Sequence, residues 1–130
     1  MIIVLDTSIL INLEKGDIKT ISKIRELSKI HTSPCLITFI NYFEFLVGIR
    51  ERNPKNKEKA LAFIDKFGVI KVNKETAATL SELKCKHDKK GIILPLADLL
   101  IAAQIIENNM LLVTSDKDFE NIEGLNRVYV

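Results

Sequence analysis

Short aliphatic runs alternate along the chain with longer stretches in which apolar positions recur every three to four residues. The runs fall at Ile2–Leu5, Cys35–Thr38, Val69–Val72, Leu111–Thr114 and Val128–Val130, and each reads as a strand. Between them Ile18, Ile21, Ile24, Leu27 and Ile30 recur every third residue, and Phe39, Ile40, Phe43, Leu46 and Val47 form a second helical stripe. Further helices are predicted over Lys57–Phe67, with Leu61 and Ile64, over Glu75–Lys89, with Ala77, Leu80 and Leu83, and from Pro95 to Asn108. Thr7 or Ser8 is placed to cap a helix running toward Leu13, and Gly16, Asn53–Pro54, Gly68 and Gly91 punctuate the remainder.

The strands lack the polar alternation of half-exposed strands, which implies a mostly parallel sheet covered on both faces. The expected class is α/β: a three-layer α/β/α sandwich with a five-stranded sheet, forming one domain over residues 1–130. With 47% hydrophobic and 28% charged residues the chain belongs with ordinary globular proteins rather than disordered or fibrous ones. A net charge of +2 does not by itself announce a nucleic-acid binder.

Ile2–Leu5 is too short for a secretory h-region. The most apolar window, Ile92 to Ile106, is interrupted by Pro95, Asp98 and Gln104, so no membrane span is expected and the cytoplasm is the default location. Cys35 and Cys85 stand alone, which makes them free, partly buried thiols, and His31 and His87 lack ligand spacing and read as helix-surface or helix-end residues. A zinc site is therefore not expected.

The acids carry more information. Ligands of open α/β sheets bind beyond the carboxyl ends of the strands. Asp6 follows the first strand directly, and Asp116 and Asp118 follow the fourth in "LLVTSDKDF". Glu44, in "FINYFEFLVG", shares a helical face with Ile40, Val47 and Gly48, and so reads as an acid within the apolar stripe. Asp98, in "PLADLLIAA", opens a helix that is apolar nearly all round. Both helices are expected to begin at the edge where Asp6 and Asp116 emerge.

Taken singly, each acid could be a cap, a partner of a helix dipole or a snorkelling rim residue. Taken together they concentrate charge at one place, and "LDTSIL", "YFEFLVG" and "PLADLLIAA" contain no Lys or Arg to offset it. An all-oxygen ligand set favours Mg²⁺, with Mn²⁺ as substitute, over zinc. The chemistry such a site supports is phosphodiester hydrolysis with one or two ions. Thr7, Ser8 and Ser115 are placed to orient a carboxylate or a water. Two basic clusters, Arg50, Arg52, Lys55, Lys57 and Lys59, and Lys84, Lys86, Lys89 and Lys90, are interspersed with acids and read first as solvated faces, though a phosphate-bearing substrate needs some of them.

These motifs resemble those of PIN-domain ribonucleases, specifically VapC-type toxins of toxin-antitoxin systems. The resemblance covers essentially the whole chain: "IVLDTSILI", "INYFEFLVG", "LPLADLLIAA" and "LLVTSDKDF", in that order. It implies a Mg²⁺-dependent endoribonuclease built on a parallel sheet of strand order 3-2-1-4-5. Asp6, Glu44 and Asp98 match the family's first three acids and Asp116 the fourth, with Asp118 as auxiliary or substitute. Thr7 or Ser8 and Ser115 fall where small hydroxyl residues accompany those acids. The resemblance further implies RNA products with 5′-phosphate and 3′-hydroxyl ends, a homodimer, and inhibition by a cognate VapB-like antitoxin whose C-terminal segment blocks the site.

Two other readings compete. A non-catalytic RNA-binding or partner-binding module has no need to concentrate negative charge near phosphates. A haloacid dehalogenase-like phosphatase needs a second aspartate two residues after the first, where this chain has Ser8.

Overall fold

The first strand, β1 (Ile3–Leu5), has no exposed face: all three residues are buried, as the unbroken aliphatic run predicts. The computed structural model describes residues 1–130. After β1 come α1 (Thr7–Glu14), α2 (Ile18–Ile30), β2 (Leu36–Thr38), α3 (Phe39–Ile49), α4 (Pro54–Ile64), β3 (Gly68–Ile70), α5 (Lys74–Lys89), α6 (Leu96–Glu107) and β4 (Leu111–Thr114). A short 3-10 turn, Lys117–Asn121, and β5 (Arg127–Tyr129) complete the chain.

The sheet has five strands in the order β3-β2-β1-β4-β5, and every pairing is parallel. β1 is central, with Ile3, Val4 and Leu5 opposite Leu111, Leu112 and Val113. Alternation along the pleat divides the apolar interior in two. Ile3, Leu5 and Val113 face a core completed by Ile9, Leu10, Leu27, Phe45, Ile49 and Ile64 from α1 to α4. Val4 and Leu112 face the opposite core, with Leu83 of α5, the α6 residues Leu99 to Ile105, and Phe119 and Ile122. The expected three layers are thus present, with helices on both faces.

Element boundaries moved where local chemistry was stronger than apolar spacing. α4 begins at Pro54 rather than Lys57 because the Asn53 side chain accepts from the Asn56 N–H and Pro54 suits the first turn. α6 begins one residue after Pro95. β3 takes in Gly68, where a Cβ would lie 2.9 Å from Leu36 Cδ2 on the neighbouring strand, and ends before Lys71.

Two expectations about facing are corrected. In α3 the inward residues are Asn41, Phe45 and Ile49, while Phe39, Phe43 and Val47 of the anticipated stripe are 51%, 54% and 52% exposed. The helix follows β2 without a loop, so its phase is set at that junction rather than by its own apolar pattern. His87 lies in the last turn of α5, the helix-end placement expected, but faces inward rather than to the surface, 1% exposed, with Nδ1 2.7 Å from the Leu83 carbonyl oxygen and Nε2 3.2 Å from that of Asn121. Cys35 is partly buried, Cys85 exposed, and both are free. No helix is long and apolar enough to cross a membrane.

Candidate metal centre and active site

Asp6 leaves β1 at its carboxyl end and becomes the N-cap residue of α1, its carbonyl oxygen accepting from the Ile9 and Leu10 N–H groups at 3.0 Å. The cap thus falls on Asp6 rather than on Thr7 or Ser8, but through its backbone alone. The residue is 6% exposed and its carboxylate points to other segments: Oδ1 accepts from Asn41 Nδ2 at 3.0 Å and Oδ2 from Thr114 Oγ1 at 2.5 Å. The strand end, α3 and the end of β4 are thereby tied at one carboxyl group.

Asn41 is the hub of this network. It is fully buried and forms a capping box with Thr38: the Thr38 hydroxyl accepts from the Asn41 N–H, and Asn41 Oδ1 accepts from the Thr38 N–H and hydroxyl. With its oxygen engaged, Asn41 turns Nδ2 toward Asp6 and, at 3.1 Å, the Thr7 hydroxyl. Thr7 in turn donates to Glu44 Oε1 at 2.7 Å. Glu44 itself is exposed, not set in the core-facing side of α3, and its neighbours Phe43, Val47 and Gly48 are exposed as well.

From the other side, Asp98 comes in the first turn of α6, and Asp116 follows β4. The Asp116 N–H donates to Thr114 Oγ1 at 3.0 Å, so one hydroxyl links Asp6 to Asp116. Asp116 Oδ1 caps the 3-10 turn by accepting from the Asp118 N–H at 2.9 Å, and this bend brings Asp118 back toward Asp98. Carboxylate oxygens of Asp98, Asp116 and Asp118 lie within 4.8 Å of one another. Asp116 and Asp118 are therefore both at the cluster, rather than one in place of the other. Ser8 Oγ accepts a long, 3.4 Å bond from the Ser115 N–H, and neither hydroxyl forms a hydrogen bond with the acids.

Charge accumulates here without compensation. Burial pushes the Asp6 carboxyl above the ordinary aspartate range despite the Thr114 hydrogen bond, which pulls it down. Asp98 is pushed up to about 6, first by burial and then by repulsion from Asp116, Asp6, Asp118 and Glu44. None of the six ion pairs in the structure includes any of these five acids. Lys117, between Asp116 and Asp118 in sequence, instead sits 4.2 Å above the Tyr129 ring. Converging carboxylate oxygens, raised protonation and no cationic side chain are the conditions that a hard divalent cation relieves, so the donor set fits Mg²⁺ or Mn²⁺.

Asn41 and Thr114 escaped the sequence reading. A signal was present for the first: Thr38 and Asn41 have capping-box spacing at the start of α3. For Thr114, the last residue of a buried strand, nothing local marks its hydroxyl as a partner of a carboxylate 108 residues away.

A family model described as PIN domain matches residues 3–125. Ribonuclease VapC1 of Rickettsia felis is 33% identical over 129 residues, covering 95% of this chain and 92% of the relative. A ribonuclease VapC of Rickettsia bellii is 31% identical over 129 residues, with coverage of 95% and 92%. Among solved structures, VapBC2 from Rickettsia felis bound to a promoter DNA fragment aligns with a TM-score of 0.87 at 26% identity, over 100% of this chain and 99% of that one. DNA-bound VapBC from Salmonella typhimurium shares the fold, with a TM-score of 0.83 at 23% identity over 99% of this chain and 98% of that one. The strand order, the acid cluster at the carboxyl edge of β1 and β4, and a match spanning nearly the whole chain lead to one conclusion: this protein belongs to the PIN domain family, in its VapC group.

Proposed function

We propose that this protein is a metal-dependent endoribonuclease, the toxin of a VapBC-type pair, hydrolysing RNA phosphodiesters at the cluster of Asp6, Glu44, Asp98, Asp116 and Asp118. The carrying observation is five uncompensated carboxylates gathered at one sheet edge in a chain related along its length to VapC ribonucleases. Asp98, Asp116 and Asp118 would hold a Mg²⁺ ion, with Mn²⁺ as substitute, and Asp6 and Glu44, close enough to repel Asp98, would add to the negative field around it. The chemistry such an ion supplies is charge stabilisation of the phosphoryl oxygens and a nucleophilic water at neutral pH.

The protein's own groups set the geometry. Asn41 and Thr114 fix the two oxygens of Asp6, and Thr7 fixes Glu44, so these carboxylates are oriented before substrate arrives. Attack of water on phosphorus in line with the 3′-oxygen forms the new P–O bond as the P–O3′ bond breaks, and the 3′-oxygen leaves and takes up a proton, giving 5′-phosphate and 3′-hydroxyl ends. A VapB-like antitoxin is the expected partner, since the solved relatives are VapBC complexes. The exposed apolar residues Phe39, Phe43 and Val47 of α3 supply a surface for a second copy in a homodimer.

The test is cleavage of structured RNA by purified protein with Mg²⁺ or Mn²⁺. Asp6→Asn and Asp98→Asn are each expected to abolish cleavage while leaving the circular dichroism spectrum and cooperative unfolding intact. Full activity in both variants overturns the assignment.

A further inference from the structure

The basic residues divide into two sets once their partners are seen. On α5, Lys84 is paired with Asp88, and Lys86 and Lys90 both meet Glu123. Lys15 and Lys59 enter no ion pair at all. Arg52 gives one guanidinium nitrogen to Glu14 at 2.6 Å, an anchor that holds the group in place while its other N–H groups make no hydrogen bond.

These three cations line two adjoining cavities that share Lys15 and Arg52. A cavity of about 230 Å³ starts at Glu44 of the acid cluster, runs along α3 past Gly48, and ends at Lys15 and Arg52. Lys15 and Arg52 also line the next cavity, of about 340 Å³, which continues to Asn56 and Lys59 on α4 and has no apolar lining residue; Glu14, the partner of Arg52, is the one acid in it, against three cations. The groove thus leads from the acids, about 8 Å along α3 for the five positions from Glu44 to Ile49, to the turn that carries Arg52 and to the unpaired Lys15 and Lys59.

We propose that this groove is a phosphate-binding track, in which Lys15, Arg52 and Lys59 hold the backbone of single-stranded RNA on one side of the bond to be cut. The inference takes its substrate class from the ribonuclease reading; the groove and its charges stand independently of it. A peptide, the expected antitoxin segment included, could also meet the cations and reach the acids, but a nucleic-acid backbone is the occupant whose scissile phosphate is the reacting group there. The wholly polar far end suits a solvated sugar-phosphate chain rather than an apolar peptide face.

The experiment measures binding of fluorescein-labelled oligouridylate by anisotropy in EDTA, across a salt series, together with steady-state cleavage in Mg²⁺. Lys15→Gln/Lys59→Gln is compared with Lys74→Gln/Lys89→Gln, an equal charge change on exposed lysines of α5. The groove pair is expected to weaken binding roughly ten-fold and to reduce the salt slope by about 0.7 per lysine removed, with the α5 pair unchanged. In cleavage, KM rises and kcat is retained. Equal effects in the two pairs, or none in either, overturn the track, as does, in a parallel titration with labelled oligoglutamate, loss of that binding in the groove pair with oligouridylate binding retained. If wild-type protein cleaves RNA and the groove pair binds and cleaves like it, the track fails and the ribonuclease reading stands. If wild-type protein does not cleave but the groove pair alone loses affinity, the ribonuclease reading fails and the track stands.

Discussion

At the scale of single residues, the site depends on neutral side chains as much as on acids. Asn41 satisfies Thr38, Asp6 and Thr7 at once, in full burial. Asn41→Ala removes the side-chain bonds to all three partners, leaving Asp6 held by Thr114 alone and Thr7 by Glu44, and we expect it to cost about 2–3 kcal/mol in urea unfolding and to lower kcat, because Asp6 and Thr7 lose their common anchor. A variant as stable and active as wild type contradicts this role. Asp98 makes a pH prediction. Its carboxyl, pushed from 3.8 to about 6 in the folded protein, ionises more readily in the unfolded chain. The unfolded state therefore holds fewer protons between those values, and the Asp98 contribution to stability falls as pH rises through that window and stays low above it. Glu123, pulled down to about 2 by Lys86 and Lys90, acts in the opposite sense, losing its contribution as pH falls. The informative quantity is consequently a difference: in EDTA, Asp98→Asn gains melting temperature over wild type as pH rises through the window. A gap that shrinks with rising pH excludes this account of Asp98.

At the scale of elements, caps and junctions decide where helices start and which way they face. Asn73 and Thr76 form a capping box at the start of α5, and Thr76 also donates to Glu107 of α6, so one cap joins two helices of the same layer. Asn73→Ala is expected to cost about 1 kcal/mol of global stability, measured by denaturant unfolding, with RNA cleavage unaffected because α5 contributes no acid to the site. α3 shows how far an element can be read in isolation. Its existence and span follow from periodicity, but its apolar residues are numerous enough on two sides that phase is ambiguous. The choice of Asn41, Phe45 and Ile49 as the inward set puts a polar residue inside and leaves Phe39 and Phe43 outside, against the hydrophobic pattern. The bonds from Asn41 to Thr38 and Asp6 compensate for burying the amide, and the exposed phenylalanines are left for another surface.

At the scale of the whole molecule, two expectations follow from the fold and its charges. An ion that binds the folded acid cluster and not the unfolded chain stabilises by mass action, about 2.7 kcal/mol at a hundred-fold excess over its Kd. Mn²⁺ is therefore expected to raise the melting temperature of wild-type protein and to leave Asp98→Asn much less affected; an equal rise in both places the ion elsewhere. If α3 forms the homodimer surface, Phe43→Glu/Val47→Glu yields a monomer in sedimentation velocity while the fold persists, and an unchanged dimer moves that interface to another face. The sequence by itself determined the alternation of buried strands and helices, hence the parallel three-layer sheet, and it marked the acids that end strands or open helices. These are properties of local spacing, which a periodic pattern carries without knowledge of distant residues. Only the tertiary structure decided the inward face of α3, the burial of His87, the presence of both Asp116 and Asp118, the anchoring of Asp6 by Thr114, and which lysines remain free. Each of those depends on partners brought together from separate segments, and hydrogen bonding and charge compensation exist only once the chain has packed.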